Sequence, residues 1–455
     1  MASTYIYRDI GTPTNAYKGT VSHWIKKSII GASETEYGTF AAWLNGGNTT
    51  RTHLNFYNNT IYFYSQQHSM LLQTNRVFRD PNAWYHIVVA WDTTQSTASN
   101  RVKIYVNGVQ ETSFSTANYP AQNAVLECNT SGRRFGVGTL ANGSGVAYGF
   151  WDGSISHFHF IDGTAYDATA FGEYDANGVW KINTSPSVTY GTNGFFILKD
   201  GNSVTDQSGN TNNLTVGGGT LTKTEDSPSN VFATLNPLRS IGGNIGTYST
   251  GNTTYTAAYN DWQGTVGTLG ATSGKWYWEW KVLSTNNNIS GIVSDIAGAN
   301  AAVHDAASVV GGFGGYIDSG NFHARFAESD ISGWDTASVG VSFTTNDIVN
   351  VALDMDNKFL YFGKNGTWMK SGNPTSGATG TGGIDIGTPY DTVGLFAMPA
   401  VSIYASGASG SINFGNGYFG TTAVSSAGTN ASGIGIFEHD VPTGFTSLST
   451  KGLNL

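Results

Sequence analysis

Carboxylates, histidines and aromatic rings are the side chains of this chain that could do chemistry, and their spacing restricts what that chemistry is. Glycoside hydrolysis needs two carboxylates roughly 5 to 9 Å apart in one cleft; Glu173 with Asp175, and separately Glu127, are the acids to consider. His157 and His159, two apart on one strand, could share a metal only with a third ligand nearby. No histidine or cysteine partner stands at a recognisable spacing, so they are expected to be surface-facing or hydrogen-bonded. Asp354-Met355-Asp356-Asn357 lacks the glycine at the sixth and the glutamate at the twelfth position of a calcium loop. Asp206-Gln207-Ser208-Gly209-Asn210 offers oxygens to Ca²⁺, but such a cluster also forms Asx turns, the simpler expectation. Gly311 to Gly315 precedes no helix and lacks the Lys-Ser/Thr pair of a phosphate loop. The single cysteine, Cys128, has no partner for an internal disulfide and is expected in a core. No catalytic residue, metal or cofactor is predicted.

What survives is binding. An aromatic ring on a loop can stack on the apolar face of a sugar, while Asn, Asp and Ser hydrogen-bond its hydroxyls. Tyr148 and Trp151 flank a glycine-rich stretch, and Trp262 and Trp334 fall in polar segments between strands. Trp276, Trp278 and Trp280 share one face of a strand and are expected in the core.

The elements that must position these residues are strands. Glycine supplies 60 of 455 residues, roughly twice its usual share, whereas charged residues are 12%, about half of theirs. With 12 Trp, 23 Tyr and 24 Phe, this composition describes an all-β protein with short strands rather than a helical or disordered one. Trp84 to Asp92 has the apolar length of a buried strand; Val102, Ile104 and Val106 alternate with Arg101, Lys103 and Tyr105 before the hairpin signal Asn107-Gly108. Asn58-Asn59 and Asn365-Gly366 predict two further tight turns. Gly149 to Gly163 mixes apolar residues and histidines so that one of its faces is expected to be wet. The formal charge of −9 argues against nucleic acid as a partner. Neither a secretion signal nor a membrane span is expected from the residues present.

A composition shift near 217–240 predicts two antiparallel β-sandwiches in tandem: 1–222, a linker over 223–245, 246–422, and a Gly/Ser-rich arm over 423–455, weakly ordered unless docked. The run Trp84 to Gly108, with Trp151-Asp152-Gly153-Ser154-Ile155, resembles a laminin-G/concanavalin-A-like lectin domain. Gly274-Lys275-Trp276-Tyr277-Trp278-Glu279 and Asp354 to Gly366 resemble the opening strand and a hairpin of a SPRY domain. The order of the two modules, Phe78-Arg79-Asp80-Pro81-Asn82-Ala83-Trp84-Tyr85-His86 and Phe160-Ile161-Asp162-Gly163 also resemble virion proteins of marine tailed bacteriophages, of tail-fibre or decoration type.

The resemblances carry expectations. Glucanases related to the first fold place E-x-D-x-x-E on one strand; that run is missing, so the expectation is a protein that is not an enzyme. SPRY domains contact ligands through variable loops on one face, which by loop position implies His304, Asp305, Trp334 and Asp335. The expected function is a receptor-binding protein on the exterior of a phage particle, holding host-surface polysaccharide or another receptor. The alternative is a purely structural decoration protein. Other virion proteins and copies of itself, a trimer included, are the remaining expected partners, with no insertion into a membrane.

Overall fold

The computed structural model describes residues 3–30, 37–47, 50–199, 203–241, 244–295, 312–326, 329–391 and 395–455. The chain divides into two compact units, Met1–Lys223 and Thr224–Leu455. Strands make nearly all of the regular structure; the two α-helices described, Thr336–Val339 and Gly387–Tyr390, are four residues each.

In the first unit an eight-stranded sheet runs, in spatial order, Phe114–Asn118, Met70–Val77, Thr60–Ser65, Arg51–Tyr57, Tyr37–Trp43, Arg134–Val137, Tyr5–Asp9 and Thr215–Gly218. A six-stranded sheet runs Phe195–Ile197, Gly153–Asp162, Lys18–Lys27, Trp84–Asp92, Val102–Val106 and Val109–Gln110. Alternation explains the core between them. Leu54, Phe56, Ile61 and Phe63 from one sheet meet Val21, Ile25, Ile87, Val89, Ile104 and Phe158 from the other, all fully buried. The predicted turns form as expected from Asn and Gly, which tolerate left-handed backbone. Asn58 and Asn59 have φ of +49° and +62°, and Asn107 and Gly108 +47° and +84°.

One expectation for this unit fails. No face of Gly153–Asp162 is wet: Ser156 to Asp162 are all buried. The segment after Asp162 folds back over the outer face of the six-stranded sheet. There Trp180 Nε1 donates to His86 Nδ1 at 3.0 Å, and His159 Nδ1 meets the Tyr190 hydroxyl at 2.9 Å. A bulge between Ser156 and His159 accommodates the two histidines, with His157 at φ +46° and hydrogen-bonded to Ser156.

The second unit repeats the two-sheet plan. One sheet runs Leu235–Ile241, Gln263–Gly267, Ala397–Ile403, Asn288–Ser294, Phe313–Asp318, Asn321–Phe326 and Ser329–Asp330. The main path of the other is Thr247–Ser249, Thr254–Thr256, Ser409–Asn413, Lys275–Val282, Ile348–Asp354, Phe359–Lys364 and Thr367–Trp368. Trp276, Trp278 and Trp280 enter the core between them, as their spacing predicts.

Two boundaries differ from expectation. The segment 223–245, expected to be a linker, contains Leu235–Ile241, an edge strand of this unit. The residues expected as a loose arm are integral to the fold. Thr446–Ser447 pairs in parallel with Trp276 and Tyr277, while Phe437, Val441 and Phe445 pack on Tyr277, Ala352 and Tyr361. Glycine and serine set the composition of the segment, but its few apolar residues are spaced to cover a sheet face.

Candidate functional site

The outer face of the eight-stranded sheet is covered only in part. The hairpin Leu140–Ala141/Ala147–Tyr148 lies over Ala41 and Trp43, held by Trp43 Nε1 donating to the Gly145 carbonyl at 3.1 Å. Beyond it, strand alternation turns Arg51, His53, Asn55 and Tyr57 outward, with Tyr62 and Tyr64 from the next strand and Leu71 and Gln73 from the one after. The register aligns these side chains into two rows. His53 faces Tyr64, which faces Leu71; Asn55 faces Tyr62, which faces Gln73. With neighbouring strands about 4.8 Å apart and like-facing residues about 6.8 Å apart along each strand, the rows make a floor of roughly 7 by 10 Å.

Rings and polar groups alternate across this floor. The His53 imidazole lies against Tyr64 at 5.2 Å and Tyr62 at 6.3 Å between centroids, and Tyr62 lies 6.1 Å from Tyr57, which is 41% exposed. Gln73 Nε2 donates to Thr60 Oγ1 at 3.1 Å. His53 and Asn55 are buried, at 4% and 1% exposure. Burial, assisted by the Arg51 charge, lowers the His53 pKa to about 3, so its ring is neutral at pH 7 and offers one donor and one acceptor nitrogen.

Several of these groups have nothing to bond. Arg51 Nε, His53 Nδ1, Asn55 Oδ1 and, one residue past the neighbouring strand, Gln66 Oε1 are buried without a hydrogen-bond partner. An unpartnered buried polar atom costs about 1 to 3 kcal/mol, and these lie beneath the accessible layer of the face, which is made by the part-exposed Tyr62, Tyr64, Leu71 and Gln73.

The residues singled out from the sequence are placed differently. Tyr148 is half-buried in the hairpin that flanks this face. Trp151 is half-buried at the rim of the core, its ring 5.6 Å from Phe56 and its Nε1 buried, so it is not a free stacking platform. Trp334, expected on the surface, belongs to the second core: the turn at Gly333 (φ +75°) sends the indole inward, edge-on to Phe362 at 6.3 Å. Asp335 caps the short helix Thr336–Val339, accepting from Ala337 N and Ser338 N. Trp262 is half-buried and stands edge-on to Tyr316 and Tyr404 at 5.5 and 5.7 Å. His304 and Asp305 lie outside the described residues.

The acids behave as structural groups. Asp206 accepts from the amides of Phe196, Ser208 and Asn212, the turn its sequence predicts. Asp175 accepts from Asn177 N and Val179 N, while Glu173 lines a polar hollow of about 280 Å³ with Thr169, Asn183 and Thr184. Glu127 is buried and accepts from Thr52 Oγ1 and Ser65 Oγ. The aromatic and polar rows were missed although their signal is present: Thr60-Ile61-Tyr62-Phe63-Tyr64-Ser65 alternates strictly and puts both tyrosines opposite Ile61 and Phe63.

A family described as the concanavalin A-like lectin/glucanases superfamily matches residues 3–169, within the first unit. Among solved structures, the SPRY domain of human HERC1 is 18% identical, with 39% of this chain and 96% of that chain covered and a TM-score of 0.29. The TRIM65 PSpry domain is 9% identical, with 40% and 91% covered and a TM-score of 0.28. A SAP-like pentraxin from Limulus polyphemus is 17% identical, with 36% and 72% covered and a TM-score of 0.27. No curated protein matches the sequence.

Proposed function

We propose that this protein binds glycans, and that the open half of the eight-stranded sheet is where the first domain holds them. One observation carries the reading: the registered rows His53–Tyr64–Leu71 and Asn55–Tyr62–Gln73, in which Tyr62, Tyr64, Leu71 and Gln73 stay part-exposed. Tyrosine rings offer apolar surface to a sugar face, and the tyrosine hydroxyls and the Gln73 amide offer donors and acceptors to its hydroxyls. The role proposed is binding; the strands Arg51–Tyr57, Thr60–Ser65, Met70–Val77 and Phe114–Asn118 carry no Asp or Glu. In line with the sequence resemblance to phage virion proteins, we place the protein on the exterior of a particle, where it engages polysaccharide of the host surface.

An array of bacterial surface and commercial polysaccharides probed with the full-length chain tests the binding role. Tyr62→Ala and Tyr64→Ala are expected to weaken the best binder roughly ten-fold each. Binding that survives both changes moves the site elsewhere; an array without binders removes the glycan reading. Particles lacking the chain should assemble but fail to adsorb, and particles that fall apart would favour a structural role.

A further inference from the structure

We infer that the second unit carries a sugar-binding strip of its own, for neutral glycans, centred on Trp262 and Tyr404 at one end of its seven-stranded sheet. The inference rests on the glycan-binding role proposed above, but on different residues from those that serve it in the first unit. Register builds the strip. Gln263, Ile403, Asn288 and Ile317 lie side by side on four neighbouring strands, with Ile403 and Ile317 in the core. The next residue on each strand therefore belongs to the outer face, which lines up Trp262, Tyr404, Asn287 and Asp318. With neighbouring strands about 4.8 Å apart this row spans roughly 14 Å, the reach of an oligosaccharide rather than of one sugar.

The strip is accessible. Tyr404 is 36% exposed, and Tyr259, in the loop before Trp262, is 57% exposed. Asp261 and Asp318 are exposed, while Trp262 and Asn287 are half-buried. The strip is also held in shape before a ligand arrives. The indole stands edge-on to both Tyr404 and Tyr316. Gln263 Nε2 donates to the Tyr259 carbonyl at 2.8 Å, and Ser406 N donates to Asn260 Oδ1 at 2.9 Å, which ties the two loops together.

The chemistry is that of an uncharged sugar. Aromatic rings supply the apolar surface for a pyranose face, and carboxylates and an amide at the margin meet its hydroxyls. Asn287 Oδ1 accepts from the Tyr316 hydroxyl at 2.5 Å, so its amide N–H groups are what it offers. Asp261 and Asp318 put negative charge at the two ends of the row. Arg325, the cation set 5.5 Å from the Tyr316 ring, is paired with Asp330 at 3.8 Å. A glycan bearing carboxylate or sulfate groups would meet like charge at both ends, and a neutral one would not.

Mannan, dextran and galactomannan, with polygalacturonate as the acidic control, test this on the full-length chain at physiological salt. At least one neutral probe should bind with an affinity that Tyr62→Ala and Tyr64→Ala together leave unchanged. For that probe Trp262→Ala and Tyr404→Ala should each weaken binding about ten-fold, whereas Tyr404→Phe, which keeps the ring, should retain most of it. The chain carrying Tyr62→Ala and Tyr64→Ala should not bind polygalacturonate. Thermal unfolding checks each fold, and Tyr404→Ala, at an exposed ring, reads the strip even where Trp262→Ala loosens the domain. Neutral binding that is lost with Tyr62 and Tyr64, or that survives both Trp262→Ala and Tyr404→Ala, overturns the strip and leaves a glycan-binding protein. Tighter binding of polygalacturonate in the Tyr62→Ala and Tyr64→Ala background overturns the selection for neutral sugars. A Trp262→Ala chain that keeps its glycans but no longer attaches to particles marks a protein contact and overturns the strip too. If the unaltered chain binds none of the neutral probes the inference falls, and if the wider array is silent as well the glycan reading falls with it.

Discussion

Glu279 shows how a single buried carboxylate can organise a domain without being a catalyst. It is fully buried on the face of its strand opposite the three tryptophans, and it accepts from Glu438 N at 2.9 Å, His439 N at 2.8 Å, the Tyr277 hydroxyl at 3.1 Å and Asn413 Nδ2 at 3.3 Å. Two of these donors are backbone amides of the C-terminal segment, so the carboxylate pins that segment to the sheet. Glu279→Ala leaves them buried and unpartnered and should destabilise the second domain by about 3 kcal/mol in urea unfolding, with Glu279→Gln costing less. Burial raises the Glu279 pKa from 4.5 to about 7 despite these bonds. A folded pKa above the unfolded value means that stability is fully present below pH 4.5 and is lost as pH rises to 7, on the order of 3 kcal/mol. Glu279→Gln should abolish that slope. Little of this was legible beforehand: Glu279 and Tyr277 sit in an obvious strand, but the other three donors that surround the carboxylate lie more than 130 residues away along the chain.

Elements whose shape is set by neighbouring residues were legible. Asn58-Asn59, Asn107-Gly108 and Asn365-Gly366 all form tight turns because their residue types accept positive φ wherever the strands lead. Gly108 has a second constraint, since a Cβ there would meet the Trp180 ring at 2.5 Å. Gly108→Ala is therefore expected to cost about 2 kcal/mol in the first domain, measured by urea unfolding, and more than the same change at Gly178, whose φ is +76° with open space around it. Elements whose partner is distant were not legible. The segment 423–455 has the composition of a flexible tail, and only the surface offered by Tyr277, Ala352 and Tyr361 makes Phe437, Val441 and Phe445 a cover for the sheet. Truncation after Ala423 should abolish cooperative unfolding of the second domain, as seen by calorimetry and protease resistance; a truncated chain that kept that transition would show the segment to be an appendage. Trp334 failed for the same reason. Its polar neighbours are those of a surface loop, and the core beneath it is assembled from strands elsewhere in the chain.

For the whole molecule, the buried titratable groups give the two domains opposite responses to acid. In the first, burial holds His23, His53 and His86 at about 3, against 6.5 for an exposed imidazole. These rings take up protons only in the unfolded chain, so their contribution is present above pH 6.5 and declines as pH falls, by about 2 kcal/mol for each at pH 5. Glu279 gives the second domain the reverse slope over the same range. Calorimetry should show two transitions that move in opposite directions between pH 7 and pH 5, the first domain falling and the second rising; parallel movement would refute the assignment. By itself the sequence determined that this chain is all-β, where its turns fall, that its tryptophan strand is core, and that no metal or glycosidase spacing is present. Those properties depend on residue type and on spacing along one strand. The tertiary structure decided which outward residues stay open, because that depends on what later segments cover. It buried His157 and His159 under the chain that follows them, drew the C-terminal residues onto a sheet, and left Tyr62, Tyr64, Leu71 and Gln73 part-exposed beside the buried His53 and Asn55.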